Sequence, residues 1–177
     1  MVNRIYRVRI KFSRLGPAAN LSHLQQIRVL KDMVQKSGLS CVMASFGRLK
    51  TPKISFGPAI SLGYESLAEY ADVFLSVYEG DGKVLDRINK TAESGFLALS
   101  AKKIPVNFPS VESLVNTAEY EIRGDFTAAT DIEEFLKQRE IYLNMFIFFS
   151  HRLVCETEKV IRNLTLRIEH RDNLVCR

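Results

Sequence analysis

The chain contains only three cysteines, Cys41, Cys155 and Cys176, and no two of them form a C-x-x-C pair. Zinc sites and iron–sulfur clusters built from cysteine need ligands at short, repeated spacings. The sequence therefore predicts no metal site, no cluster and no cofactor held by this chain. So few cysteines also fit a reducing compartment, and we expect the bacterial cytoplasm.

Long apolar segments are also missing. The longest near-continuous one, Ile141 to Phe149, is far shorter than the roughly 20 residues of a membrane-spanning helix. The N-terminus alternates Arg with apolar residues and lacks the apolar core of a signal peptide. We therefore expect no membrane partner. The G-x-S-x-G, P-loop and G-x-G-x-x-G motifs are absent, which argues against an enzyme that acts alone.

Acidic residues are absent from residues 33–64. Residues 1–53 contain eleven Lys or Arg and one acid, Asp32, which is a net charge of +10. The rest of the chain has a net charge of −5, so the total of +5 conceals a strong asymmetry. A basic front end is typical of proteins that bind polyanions, and it favours nucleic acid over an acidic protein surface or a phosphorylated metabolite.

Hydrophobic periodicity predicts an α+β protein made of two tandem ferredoxin-like halves with antiparallel sheets. The first half, residues 1–105, has strands at 6–12, 40–44, 54–56, 70–78 and 96–104 and helices at 23–37 and 83–94. In the first helix, Ser22 and Gln25 form a capping box and Gly38 marks the C-terminal end.

The second half, residues 106–177, follows a linker at 105–109 and a short helical turn at 110–116. It repeats the pattern as β-α-β-β without a final helix, so we expect an incomplete or truncated copy. Its predicted features are a strand at 120–123, a capping box at Thr130 and Glu133, and strands at 141–149, 160–168 and 174–176.

Residues 45–66 contain the densest cluster of glycine, proline and basic residues in the chain. Glycine permits backbone conformations that other residues resist, and proline fixes φ, so we predict a long loop that runs into a short strand and is shaped by Gly47, Gly57 and Gly63. The loop also carries Arg48, Lys50 and Lys53. A basic, glycine-containing loop can cradle an anion with backbone N–H groups and cations. The alternative is a solvated connection.

Five segments of the chain resemble one protein family. They are YRVRIKFSRLGP (6–17), LSHLQQIRVL (21–30), PKISFGPAISLGYES (52–66), AEYADV (68–73) and TAEYEI (117–122). In this order and spacing they resemble the radical SAM-linked family, a domain of unknown function encoded beside or fused to cobalamin-binding radical SAM proteins. The resemblance implies a radical SAM protein as partner, which would carry the cluster, SAM and cobalamin.

The leading hypothesis is an RNA-binding module that presents RNA, with tRNA as one candidate, to that partner. Basic residues on one strand, one helix and the loop would contact phosphates, and Ser55 would help to shape the site. The predicted contact residues are Arg7, Arg9, Lys11, Arg28, Arg48, Lys50, Lys53 and Ser55. Four aromatic residues are either stacking partners or core residues: Phe46, Tyr64, Phe74 and Tyr78.

Two alternatives remain open. In the first, the chain is a metal-independent endoribonuclease similar to CRISPR-repeat-processing nucleases, with His23 as acid/base and Lys50 or Lys53 stabilising the developing charge. A histidine without a nearby partner often serves only to hydrogen-bond a carbonyl group. In the second alternative, the basic face is a protein–protein adaptor surface without RNA affinity.

Overall fold

The computed structural model describes residues 4–115, 117–123, 151–155 and 163–170, and it describes side chains up to residue 115 except that of Phe46. The chain forms two compact units, Met1–Leu114 and Val115–Arg177. Within the described residues, no helix has the length and apolar content needed to cross a membrane.

The first unit alternates strands and helices. Its elements are β1 (Tyr6–Arg14), a 3₁₀ helix (Gly16–Asn20), α1 (His23–Lys36), β2 (Met43–Phe46), β3 (Leu49–Pro52), β4 (Ile54–Phe56), β5 (Ser66–Leu75), α2 (Asp81–Asn89), β6 (Phe96–Ile104) and α3 (Val111–Leu114).

Four of these strands form one sheet in the order β4-β5-β1-β6, and every neighbouring pair is antiparallel. With the β2–β3 hairpin set aside, the chain order is β-α-β-β-α-β. This order and strand arrangement are those of the ferredoxin-like fold. The predicted α+β class and antiparallel sheets are therefore confirmed.

The sheet packs on the two helices through its inner face. Alternation along β1 places Val8, Ile10 and Phe12 in the core, because successive side chains of a strand point to opposite faces. On α1, Leu30 and Val34 lie one turn apart and face the sheet. Both residues of the predicted Ser22–Gln25 capping box make their hydrogen bonds, and Gly38 follows the helix with φ of 69°.

For residues 45–66 the sequence predicts a long loop that runs into a short strand. The predicted strand at 54–56 is confirmed as β4, whereas the loop before it is largely a hairpin. Strands β2 and β3 pair with each other, Phe46 lies opposite Leu49, and residues 47–48 form the turn between them. Two-residue hairpin turns need positive φ at their first position, and Gly47 has φ of 60°. Apart from Lys53 between β3 and β4, the irregular part is residues 57–65, and within them Gly63 has φ of 85°.

The second unit contains a three-stranded antiparallel sheet in the order β7-β9-β8, formed by β7 (Thr117–Arg123), β8 (His151–Cys155) and β9 (Asn163–His170). These strands are consistent with an incomplete ferredoxin-like half. The predicted capping box at Thr130 and the predicted strands at 141–149 and 174–176 lie outside the described residues.

Candidate nucleic-acid interface

The sheet of the first unit has a second face, turned away from α1 and α2, which we call the outer face. Register partners in antiparallel strands share a face. Arg9 lies between Asp72 on β5 and Lys102 on β6, and Lys11 lies between Tyr70 and Ser100. The outer face is made of Arg7, Arg9, Lys11, Lys53, Ser55, Tyr70, Asp72, Phe74, Ser100, Lys102 and Ile104.

Five of the eight predicted RNA-contacting residues therefore share one face. Three come from β1, Ser55 lies opposite Asp72 on β4, and the Lys53 ammonium lies 4.7 Å from the centre of the Phe74 ring. Arg7 contacts the same ring at 5.6 Å. The face carries five Lys or Arg side chains and one acid, Asp72, a net charge of +4. This is an excess of positive charge suited to an anionic ligand.

Two of the predicted arginines are held by Asp72, whose side chain is 0% exposed. Arg7, which is 5% exposed, donates hydrogen bonds from Nε and Nη2 to Oδ2 at 3.1 and 2.6 Å. Arg9, which is 18% exposed, donates from Nε to Oδ1 at 2.8 Å and from Nη2 to Oδ2 at 2.9 Å. These hydrogen bonds to Asp72 raise the pKa of Arg9, although burial acts in the opposite direction.

A short segment, residues 105–110, lies across this arginine pair, and we call it the strap. Arg7 donates to the carbonyl oxygens of Val106 at 3.2 Å, Phe108, and Pro109 at 3.0 Å. Arg9 donates to Pro109 at 3.3 Å and lies 5.5 Å from the centre of the Phe108 ring. The predicted linker at 105–109 is thus packed on the sheet.

Next to the strap, Val111 anchors the chain on the edge of the sheet. Its side chain is buried, and a Cβ placed on Gly57 would lie 3.0 Å from the Val111 Cγ1 atom. The same Cβ would lie 3.4 Å from the carbonyl oxygen of Tyr70. Gly57 thus permits the close approach of α3, which is a more specific role than the predicted shaping of a loop.

The three lysines of the outer face differ from the arginines in their exposure and in their ion pairing. Lys53 and Lys102 are exposed and Lys11 is half-buried. Among the described residues none of the three forms an ion pair. Their ammonium groups are the cations that this face offers to a ligand while the strap is in place.

The other three predicted contact residues lie elsewhere. Arg28 is exposed on α1, Arg48 is exposed at the hairpin turn, and Lys50 is exposed on β3 opposite Ser45. A hydrogen bond of 3.5 Å from Lys31 to Thr51 joins α1 to the hairpin. The helix and hairpin thus form a second basic region, separate from the outer face.

His23 is the first residue of α1 and is half-buried, and its Nδ1 atom is buried without a partner among the described residues. The hairpin contacts α1 at Lys31, eight residues later, which is about 12 Å along a helix. In the part of the chain that the structure describes, no hydrogen bond joins His23 to Lys50 or Lys53. Nor do the described residues contain a group of His, Cys, Asp or Glu side chains able to hold a metal ion.

Of the predicted stacking residues, Phe74 lies on the outer face. Tyr78 stacks on Tyr6 with ring centres 5.7 Å apart, packs against the core and donates a hydrogen bond to Asp81. That hydrogen bond raises the pKa of Tyr78. The Phe46 side chain lies outside the described side chains, and the role predicted for Tyr64 stays a prediction.

Sequence reasoning missed Arg14, which is 0% exposed. It donates to the carbonyl oxygens of Ala18 at 3.0 Å, Ala19 at 2.7 Å and Leu21 at 2.5 Å, and to that of Ile60 at 3.4 Å. Burial lowers the pKa of this guanidinium, while the charge of Glu69 acts in the opposite direction. The missed signal was alternation, because Arg14 follows Tyr6, Val8, Ile10 and Phe12 in the inner-face register.

Arg14 fixes the irregular segment 57–65 against the 3₁₀ helix. Two further hydrogen bonds do the same: Gly63 donates to Ala19 at 2.8 Å, and Gly16 donates to the Glu65 carboxylate at 2.7 Å. The segment that the sequence singled out is therefore held to the chain just before α1 at three points.

A family model described as "Uncharacterized protein conserved in bacteria (DUF2344)" matches residues 7–170. The match spans the outer face, the hairpin and the described strands of the second unit. No curated protein matches the chain.

Proposed function

We propose that this chain, which belongs to the DUF2344 family of uncharacterised bacterial proteins, is an RNA-binding module. The observation that carries the proposal is the charge of the outer face, where five cations and one carboxylate meet on a single sheet surface. RNA phosphates are the anions that such a surface binds over an extended area, and their affinity comes from several lysine or arginine contacts.

The first contacts are made by Lys11, Lys53 and Lys102, because their ammonium groups have no ion-pair partner among the described residues. Arg28, Arg48 and Lys50 supply a second group of contacts on α1 and the hairpin. In this conformation Arg7 and Arg9 donate their hydrogen bonds to Asp72 and to the strap.

We further propose that the module presents RNA to a radical SAM partner. This part of the proposal rests on the resemblance of the five sequence segments to the radical SAM-linked family. In such a complex the partner supplies the cluster, SAM and cobalamin, and this chain supplies the RNA contacts. The measurement is co-purification of the two proteins, with and without ribonuclease treatment. A complex that forms only when RNA is absent would contradict the presenting role.

RNA binding is tested by fluorescence anisotropy with labelled bulk tRNA and a labelled oligouridylate, over a series of salt concentrations. The test variant is Lys11→Glu with Lys53→Glu. The matched control is Lys83→Glu with Lys90→Glu, which makes the same charge change at exposed positions on and after α2. Each phosphate contact contributes about 0.7 to the salt slope for single strands, so losing two contacts should flatten the slope by about 1.4.

A second variant, Arg48→Glu with Lys50→Glu, measures the hairpin separately. If the outer-face variant binds like the control, the outer face does not bind RNA. If the wild type binds neither RNA but binds the radical SAM protein in a salt-sensitive way, the surface is a protein adaptor. Cleavage of RNA by the wild type that is lost in His23→Ala would favour the endoribonuclease instead.

A further inference from the structure

The strap covers the most concentrated positive charge of the outer face. Beneath it lie two guanidinium groups and a single carboxylate, all largely shielded from solvent. One positive charge in this cluster is therefore not matched by Asp72. Four hydrogen bonds from the arginines end on backbone carbonyl oxygens of the strap instead.

Those carbonyl oxygens are weaker partners for a guanidinium than an anionic oxygen is. A backbone carbonyl offers the guanidinium a neutral oxygen, whereas a phosphate carries the opposite charge and can accept two parallel N–H···O hydrogen bonds from one arginine. An anion that reached Arg7 and Arg9 would also neutralise the unmatched charge. The carbonyl oxygens of the strap thus occupy guanidinium N–H groups of Arg7 and Arg9 that would bind a phosphate more strongly.

Besides its hydrogen bonds to the arginines, the strap is attached at its end to α3, where Ser110 accepts hydrogen bonds from the backbone N–H of Ser113 at 3.2 Å and from the Ser113 hydroxyl at 2.9 Å. All six of its residues are exposed, including the apolar side chains of Val106 and Phe108, which are 47% and 42% exposed. Pro105 and Pro109 have no N–H group, so the segment cannot pair as a regular strand. Its internal hydrogen bond joins Phe108 N to Pro105 O. Val111, which is 2% exposed, is the buried anchor that follows it.

We propose that the strap is a displaceable cover, and that Arg7 and Arg9 beneath it form a phosphate-binding site for the backbone of single-stranded RNA. The inference rests on the proposed RNA-binding function and adds its regulation. The lysines bind RNA first, and the strap then leaves so that both arginines contact phosphates. Asp72 holds both guanidinium groups in place through four hydrogen bonds.

Hydrogen–deuterium exchange of the wild-type protein tests the displacement directly. The amide of Phe108, which donates to the carbonyl oxygen of Pro105, should exchange faster when a saturating oligouridylate is present, whereas those of β1 and β5 should not. A parallel sample with inorganic phosphate separates RNA from the free anion, because a single phosphate does not engage the surrounding lysines. Slower exchange of the strap in the presence of RNA would overturn the proposal.

A strap variant tests the effect on binding. Phe108→Ala with Val111→Ala removes the ring over Arg9 and the buried anchor, and Leu97→Ala is the control at an exposed apolar position of β6. We expect oligouridylate to bind several-fold more tightly to the strap variant, because no strap has to be displaced, and with the salt slope of the wild type, because the arginines contact phosphates in both complexes. The control should bind like the wild type.

The two proposals fail in distinguishable ways. Suppose that the Lys11→Glu, Lys53→Glu variant loses RNA affinity, and that the strap variant gains none although the strap of that variant exchanges faster. The face then binds RNA without using the arginines. If the lysine variant keeps full affinity, the RNA-binding function of the outer face fails first. If neither the wild type nor the strap variant binds oligouridylate, both proposals are refuted.

Discussion

Replacing Asp72 with Asn should destabilise the first unit more than most single substitutions. The side chain is 0% exposed and accepts four hydrogen bonds from Arg7 and Arg9. Asparagine has the same shape, but its amide is neutral and turns an N–H donor toward the guanidinium groups. Two shielded cations would then lack a counter-charge. Removing one partner of a buried ion pair costs about 3–5 kcal/mol.

That cost is large compared with a total unfolding free energy of about 5–15 kcal/mol. Urea unfolding followed by far-UV circular dichroism is the suitable assay, because the chain has no Trp. With an m-value of about 1–3 kcal/mol/M, a loss of about 3–5 kcal/mol should lower the midpoint by roughly 1–5 M. The control is Asp86→Asn, an exposed carboxylate on α2, which should change stability by less than about 0.5 kcal/mol.

A third protein separates the unpaired charge from lost packing. In the variant Arg7→Met, Arg9→Met, Asp72→Leu, no charge remains in the cluster, and such replacements of buried ion pairs by apolar side chains are often neutral or stabilising. It should recover most of the stability that Asp72→Asn loses. A loss below about 1 kcal/mol in Asp72→Asn, or a triple variant as unstable as Asp72→Asn, would refute the reasoning.

Three other outcomes are expected. Gly95→Ala should lose more than about 2 kcal/mol of stability, because Gly95 has φ of 86° and an added Cβ would lie 2.2 Å from the carbonyl oxygen of Leu15. The control Gly82→Ala, in open space on α2, should gain about 0.5–1 kcal/mol. Equal effects of the two substitutions in urea unfolding would contradict this. Arg14→Lys should lower the free energy of unfolding by about 2–4 kcal/mol in the same assay, because one ammonium cannot reach the four carbonyl oxygens that the guanidinium spans. A loss under about 1 kcal/mol would show that these carbonyl oxygens do not depend on the guanidinium. Burial raises the pKa of Cys41 from 9.0 to about 11, so its thiolate fraction rises only as the pH approaches 11. At about pH 8, alkylation of Cys41, followed on its tryptic peptide, should be roughly 100-fold slower in the folded than in the unfolded chain. Equal rates would contradict the shift.

The sequence predicted those elements of the first unit whose signals lie within one short segment of the chain. The capping residue Ser22 and the C-terminal Gly38 bracket α1, and the predicted strand at 96–104 matches β6. Each of these elements is defined by residues within a few positions of one another. Alternation along β1 likewise separated the core residues from the arginines before any partner strand was known.

The hairpin and the arginine pair were not predictable in the same way. The turn at Gly47 has Arg48 in its second position and lacks the Asn-Gly or Asp-Gly pair that marks hairpins most strongly. Asp72 is 65 residues from Arg7 along the chain. Its contact depends on the register between β1 and β5, which neither strand specifies alone.

Charge counted along the sequence overstates the charge that a ligand can meet. Residues 1–53 have a net charge of +10, but Arg7 and Arg9 share Asp72, Arg14 is enclosed by carbonyl oxygens, and Lys36 pairs with Glu93 at 3.1 Å. Burial costs an arginine its hydration, so these cations persist only where the fold supplies partners. A basic segment that stabilises its own fold and one that binds a polyanion therefore look alike in composition. Partners distinguish them, and by that criterion the cations left for a ligand are the lysines of the outer face together with the exposed Arg28, Arg48 and Lys50.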